Sequence, residues 1–182
     1  MRDFAHWSQK KLEKSLPRRW KHTRGVAARA DQVASVISES DRNILIGAAL
    51  LHDIGYAPDL AKTGFHPLDG ARFLRYQGAP ERLCALVAHH SCAYREAELR
   101  GLSAELAEWE DEKTPLRDAL WWADMTAGPD GQRMTVHERL AEIAERYGPD
   151  DLVTVFVRQA APELVGAVER TEARLRAAGI QV

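Results

Sequence analysis

The sequence predicts an all-α protein that folds as a single-domain helical bundle. Apolar residues recur at spacings of three and four along nearly the whole chain, which is the period of an amphipathic helix. No segment alternates convincingly between apolar and polar residues, as a half-buried strand would. No internal repeat, low-complexity run or long linker interrupts the pattern. We therefore expect helices joined by short loops.

Size and composition bound the class of protein. With 182 residues the chain is long enough to bury one core without disulfides, and we expect one domain over 1–182. The two cysteines, Cys84 and Cys92, indicate a reducing compartment, so a cytoplasmic protein is expected. No stretch approaches the roughly 20 apolar residues that cross a bilayer, so no membrane partner is expected. The net charge of −2, with acids and bases interspersed, argues against a long nucleic acid and suits a small anionic substrate.

Three helices are predicted in the first part of the chain. The first covers roughly 4–15, the second about 18–38 and the third about 41–54. The third carries His52 on its inner face, close to its end. The inward stripe of the second helix consists of His22, Val26, Ala30, Val33 and Ile37.

Shorter helices are predicted in the rest of the chain. One begins near position 66, where the following proline suits a first helical turn. Others cover 81–90 and 115–125, whereas 93–110 is polar and has no clear pattern. After a break at 128–131, two or three further helices are predicted to finish the chain, with the C-terminal helices over about 149–178.

The histidines and aspartates are distributed in an unusual way, because many fall at predicted helix ends or on inward faces. A buried ionised carboxylate costs several kcal/mol unless it is paired or bound to a cation, and a metal ion supplies that partner. Imidazole nitrogen together with carboxylate oxygen suits zinc, iron, manganese or nickel better than calcium. The residues concerned are His22, His52, Asp53, His66, His89, His90 and Asp124.

These residues carry a resemblance to a known family. His22, then Leu-His-Asp-Ile-Gly at 51–55, then Asp124 resembles the H…HD…D signature of the HD superfamily. The segments 66–71 and 87–91 are similar to the extra histidine motifs of members that bind two metals, including the HD-GYP phosphodiesterases. The resemblance implies a helical bundle of the HD-domain type, with a metal-site core over about 18–140 followed by the C-terminal helices.

The resemblance also implies a ligand set and a chemistry. It implies one or two divalent transition-metal ions, drawn from Fe, Mn, Zn, Ni and Co, that activate water for phosphohydrolysis. Asp53, His52 and His66 would be the catalytic residues, with Asp53 bridging two ions because a carboxylate has two oxygens. The implied metal ligands are His22, His52, Asp53, His66, His89 and Asp124, with His90 either joining them or lying behind.

The expected substrate is a small phosphate ester or anhydride, such as a nucleotide or phosphorylated metabolite. Tyr56 stands where cyclic-dinucleotide phosphodiesterases of the superfamily usually have lysine, which argues against that substrate class. Lys62, Arg133 and Arg139 are the candidate phosphate contacts, since basic side chains and above all guanidinium forks match phosphate oxygens. The basic residues from 18 to 24 are interpreted as a solvated helix start, with phosphate contact as the alternative.

The sequence leaves other functions open. A minority of the superfamily uses the same ligands for a di-iron pair that activates oxygen, so a di-iron oxygenase is the alternative to the hydrolase. A metal-bound regulatory or binding module is the third candidate, and it is ranked last because the full ligand set is present. The oligomeric state is also open, and a homo-oligomer is compatible with the sequence.

Overall fold

The computed structural model describes residues 4–182, and these form helices joined by loops. The all-α prediction is confirmed, because the described residues contain no strand and only one isolated bridge, between Ala127 and Arg133. Single 3-10 turns lie at Ala34–Val36, Ile54–Tyr56 and His90–Cys92. The helices are α1 (Phe4–Leu12), α2 (Pro17–Val33), α3 (Glu39–Leu51), α4 (His66–Tyr76), α5 (Glu81–Ala88), α6 (Ala93–Arg100), α7 (Ser103–Leu106), α8 (Pro115–Met125), α9 (Val136–Tyr147) and α10 (Leu152–Ala177).

Helix α2 buries the stripe that its sequence predicts. Pro17 occupies the first turn, where its missing N–H removes no helical hydrogen bond. The predicted end of this helix is too late, because α2 stops at Val33 and a 3-10 turn follows. His22, Val26, Ala30 and Val33 form the buried stripe of α2, and Ile37, which is also buried, follows the 3-10 turn.

Helix α3 brings the His-Asp pair into the core. It starts at Glu39, two residues earlier than predicted, and ends at Leu51. His52 and Asp53 follow directly and are both buried. The pair therefore lies at the carboxyl end of a buried helix, where its side chains are held by the turn that follows.

Helix α8 lies at the centre of the fold, packed against α2, α3 and α10. Trp121 and Trp122 are completely buried, as expected of core residues. The polar segment 93–110 is mostly helical, forming α6 and α7, and two helices finish the chain, within the predicted two or three. Within the part of the chain that the structure describes, no helix is both long and apolar enough to cross a membrane.

An ion cluster joins α10 to α8. The buried Asp118 accepts two hydrogen bonds of 2.8 Å from Arg170 and lies 3.5 Å from Arg174 Nη1. Burial opposes ionisation of Asp118, but Arg170, with help from Arg117 and Arg174, outweighs it and holds the pKa of this carboxyl below its ordinary value. The cluster is therefore a stabilising contact of the last helix.

We expect Asp118→Asn to lower the free energy of unfolding by about 1–3 kcal/mol, because the charged hydrogen bonds to Arg170 are lost. A group with a lowered folded pKa contributes stability above its unfolded pKa and loses it as the pH falls through the folded value. The difference in free energy of unfolding between parent and variant should therefore be constant near neutral pH and shrink below about pH 4. Urea unfolding across this range measures it, and equal stabilities at pH 7 would contradict the prediction.

Candidate metal centre

Four histidines and two aspartates converge between α2, α3, α4, α5 and α8. Their ligand atoms form two groups, each with its atoms within 4.8 Å of one another. All six residues are buried except His66, whose side chain is 14 % exposed. One group is His22, His52 and Asp124, and the other is Asp53, His66 and His90.

Asp53 lies between the two groups and faces both of them. Its Oδ2 is 3.3 Å from His52 Nε2 and 3.7 Å from His22 Nε2. Its Oδ1 is 3.3 Å from His66 Nε2 and 4.0 Å from His90 Nε2. Each oxygen of this carboxylate thus faces a different pair of imidazoles, which is the arrangement of a bridging ligand.

Backbone carbonyls set the orientation of three of these imidazole rings. His22 Nδ1 donates to the carbonyl of Gly128 at 3.0 Å, and His52 Nδ1 to that of Ala49 at 2.8 Å. His90 Nδ1 donates to the carbonyl of Val87 at 2.7 Å. With the proton on Nδ1, the Nε2 lone pair of a neutral imidazole points into the cluster, as it does in metal-binding histidines.

The cluster fits a cation better than it fits protons. His66 Nε2 lies 3.1 Å from His90 Nε2, although the Nδ1 bond of His90 leaves its Nε2 as an acceptor. His52 Nε2 is buried and has no hydrogen-bond partner within the described residues. Lone pairs that face each other in a buried site need an electrophile between them, and a divalent metal supplies it.

Close backbone packing places His66 and His22. A Cβ on Gly55 would lie 2.0 Å from the carbonyl oxygen of His66, so only glycine lets the turn after Asp53 touch the start of α4. A Cβ on Gly25 would lie 2.6 Å from Gly131 Cα, so the loop that carries the Gly128 carbonyl rests directly on α2. Both glycines act by permitting contact.

The turn after α5 contains His90. Ser91 and Cys92 both have left-handed backbone conformations, with φ of 47° and 61°, which is unusual for residues with side chains. The hydrogen bond to the Val87 carbonyl holds the His90 ring in the cluster, and the turn that follows lets Ser91 Oγ donate to Asp124 Oδ2 at 2.5 Å. The other oxygen of Asp124, Oδ1, lies 3.0 Å from His22 Nε2.

The electrostatics keep the carboxylates ionised. Burial opposes ionisation of Asp53, but Arg19, at 2.8 Å, and His52 hold its pKa well below the ordinary value. Burial opposes ionisation of Asp124 too, and His22 and His52 lower its pKa all the same.

The imidazoles respond differently to the same surroundings. Burial lowers the pKa of His22, and it lowers the pKa of His90 to about 3, with the neighbouring histidines adding to the effect. Burial also opposes a charge on His52, but Asp53 and Asp124 raise its pKa to about 9. A metal that bound His52 would therefore displace a proton below that pH.

Arg19, Tyr56 and His66 form a stack beside the cluster. The Tyr56 and His66 rings are parallel within 17° with centroids 3.9 Å apart, and the Arg19 guanidinium lies 4.1 Å from the Tyr56 centroid. In the sequence, Arg19 was counted among the basic residues of a helix start, with phosphate contact as the alternative. Its position three residues before His22, on the same helix face, is the signal that could have singled it out.

The structure corrects the prediction for His89. Its Nε2 donates to the carbonyl of Trp109 at 2.8 Å, and its own carbonyl accepts from Trp121 Nε1 at 3.0 Å. His89 belongs to neither ligand group, because consecutive residues at a helix end point in different directions. His90 occupies the position beside Asp53 and His66 that was predicted for His89.

Two of the three predicted phosphate contacts also lie elsewhere. Lys62 is exposed in a groove with Asp69 and Tyr76, and Arg133 is exposed in another beside Arg29. The loop after Asp124 offers the cluster the Gly128 carbonyl instead of the Arg133 side chain. Arg139, by contrast, lines the cavity over the cluster.

The cavity over the cluster has two kinds of wall. Its basic wall consists of Arg19, Arg139 and Arg146. Its apolar wall comes from the last two helices, α9 and α10, so the C-terminal part of the chain completes the site. The apolar side chains from this part are Ile143, Tyr147, Val153, Phe156, Val157 and Leu164.

The fold and this cluster define a class: an all-helical protein with grouped histidines and aspartates suited to hold divalent metal. The family model of the HD domain matches residues 19–150, and the chain belongs to this family. The family consists generally of metal-dependent phosphohydrolases. No curated protein and no solved structure matches the chain.

Proposed function

We propose that the chain is a metal-dependent phosphohydrolase that acts on a small phosphate ester or anhydride, such as a nucleotide or phosphorylated metabolite. The observation that carries the proposal is the Asp53 carboxylate, whose two oxygens face two separate pairs of imidazole nitrogens on the floor of a cavity with a basic wall. Such a floor suits two ions that act on one phosphoryl group.

The proposed ligands divide between two ions of Fe, Mn, Zn, Ni or Co, with Asp53 shared. His22, His52 and Asp124 would hold one ion, and His66 and His90 the other. Bound there, the ions supply an activated water and neutralise charge on the phosphoryl oxygens. Ser91 fixes the carboxylate of Asp124 by donating to Oδ2, the oxygen that does not face His22.

Two arginines are proposed to orient the phosphoryl group. Arg19 holds Asp53 with one nitrogen and keeps its planar group at the cavity. Arg139 is buried and lines the same cavity, and its guanidinium presents several donors to phosphate oxygens. The apolar wall from α9 and α10 would receive the organic part of the substrate and exclude water from it.

The location and the domain organisation remain proposals as well. Cys84 and Cys92 are buried free thiols, which supports a reducing compartment such as the cytoplasm. The C-terminal helices line the cavity together with the core, which supports a single functional domain.

The test is phosphate release from a panel of nucleotides and phosphate monoesters by the chain, stripped of metal and reloaded with each divalent ion. We expect turnover with at least one ion and none in the stripped protein. If no ion supported turnover of any compound in the panel, the phosphohydrolase proposal would be wrong. Consumption of oxygen by the iron-loaded protein, with air-dependent product formation, would favour the oxygenase.

A further inference from the structure

A second cavity adjoins the one over the metal cluster, at the start of α2. Arg19, His22, Arg139 and Arg146 line both cavities, so the two share a wall. Arg18 lines only the second, and no carboxylate from the described residues lines it. The second cavity is therefore basic and open to the space above the metals.

The charges around this second cavity do not cancel on its surface. Arg18 pairs with Asp130, and Arg146 lies 3.3 Å from Glu142, which also pairs with Arg139. These two acids lie outside both cavity linings. The carboxylates that pair with Arg18, Arg139 and Arg146 are thus absent from the cavity lining, whereas the arginines themselves line it.

Arg139 supplies an independent sign of a missing ligand. Its side chain is only 5 % exposed, yet its Nε has no hydrogen-bond partner within residues 4–182. A buried donor without an acceptor is rare in folded proteins. Arg139 therefore has hydrogen-bonding capacity that these residues leave unused, and its side chain lines both cavities.

The amino end of α2 adds to the same field. Leu16 stands at the capping position and provides no side-chain acceptor, and Pro17 follows in the first turn. The free N–H groups and the positive end of the dipole of this 17-residue helix favour an anion. Leu16, Pro17 and Arg18 all line the second cavity.

We propose that the second cavity is a subsite for a second phosphate group of the substrate. This inference rests on the proposed function: one phosphoryl group would lie over the metals, and the second would lie between Arg18, Arg139 and Arg146. The shared wall means that a short link can join the two groups. The substrate class is therefore a diphosphate or bisphosphate rather than a simple monoester.

The test compares substrates that differ by one phosphate, AMP and ADP, in the metal-loaded parent and in the double variant Arg18→Gln/Arg146→Gln. Both side chains lie outside the metal cluster. We expect the parent to prefer ADP in kcat/KM by at least about tenfold, and the double variant to lose that preference through KM. Arg72→Gln removes an exposed, ion-paired arginine distant from both cavities and should behave as the parent.

A binding measurement separates this inference from the hydrolase proposal. Methylenediphosphonate should bind the parent at least about tenfold more tightly than methylphosphonate, and the double variant should lose the difference. That result supports the subsite even if no compound is hydrolysed. Equal affinities, or an equal loss for both ligands, would overturn it. A change in the rate of AMP turnover caused by free inorganic phosphate that does not compete with AMP would overturn the assignment of the second cavity to a phosphate group of the substrate.

Discussion

Replacing Asp53 by asparagine is expected to remove both metals and to lower kcat/KM by at least about 100-fold, since even outer partners of metal ligands contribute 10–100-fold. Asparagine keeps the shape of the side chain but loses the charge and one of the two oxygens that face the histidine pairs. Elemental analysis of protein purified without chelator, beside phosphate release, measures both effects. About two metal equivalents in the parent should fall below one in the variant.

The control is Asp118→Asn, which also removes a buried, arginine-paired carboxylate but touches neither ligand group. It should lose stability and keep its metal. Asp53→Asn also leaves Arg19 without its ion-pair partner. Thermal unfolding of both variants therefore shows whether metal is lost only because the protein has unfolded. A folded Asp53→Asn protein with the full metal content would contradict the bridging role.

The second large effect is expected from one of two adjacent histidines. His90→Ala should halve the metal content and reduce turnover by about 100-fold or more, because the second ion loses one of its two imidazoles. His89→Ala should keep both ions, because its ring donates to the Trp109 carbonyl outside the cluster. The measurement is metal content per chain for the two variants, prepared in parallel.

These neighbours are a matched pair, since both are buried and each makes one backbone hydrogen bond through a ring nitrogen. His89→Ala is expected to lower the midpoint of thermal unfolding, since the Trp109 carbonyl loses its donor. A metal content that fell in His89→Ala and not in His90→Ala would reverse the assignment.

Much of the site was accessible from the sequence because its ligands are local features of helices. His22 belongs to an inward stripe, and the apolar residues around it predict its burial. The Leu-His-Asp-Ile-Gly run of 51–55 places two ligands at a helix end, and its glycine permits the contact that brings His66 to Asp53. Residue type and helical period suffice for such predictions.

The residues proposed to contact phosphate could not be predicted from the sequence in the same way. Lys62 and Arg133 were chosen for their nearness in sequence to ligands, but their loops direct them to other grooves. Loop direction depends on what the loop packs against, and the glycine contact between α2 and the 128–131 turn is a long-range feature.

The sequence by itself determined the helical class, the buried stripes and the residue types of a cluster that could hold metal, since helical period and ligand chemistry are local properties. Only the tertiary structure decided which of His89 and His90 joins the cluster, because the backbone leaves helical geometry at His89 and each ring is held by a hydrogen bond to a different carbonyl. It also decided that Arg19 lies on Asp53 and that α9 and α10 wall the cavity. These are contacts between helices distant in sequence, which no local pattern encodes.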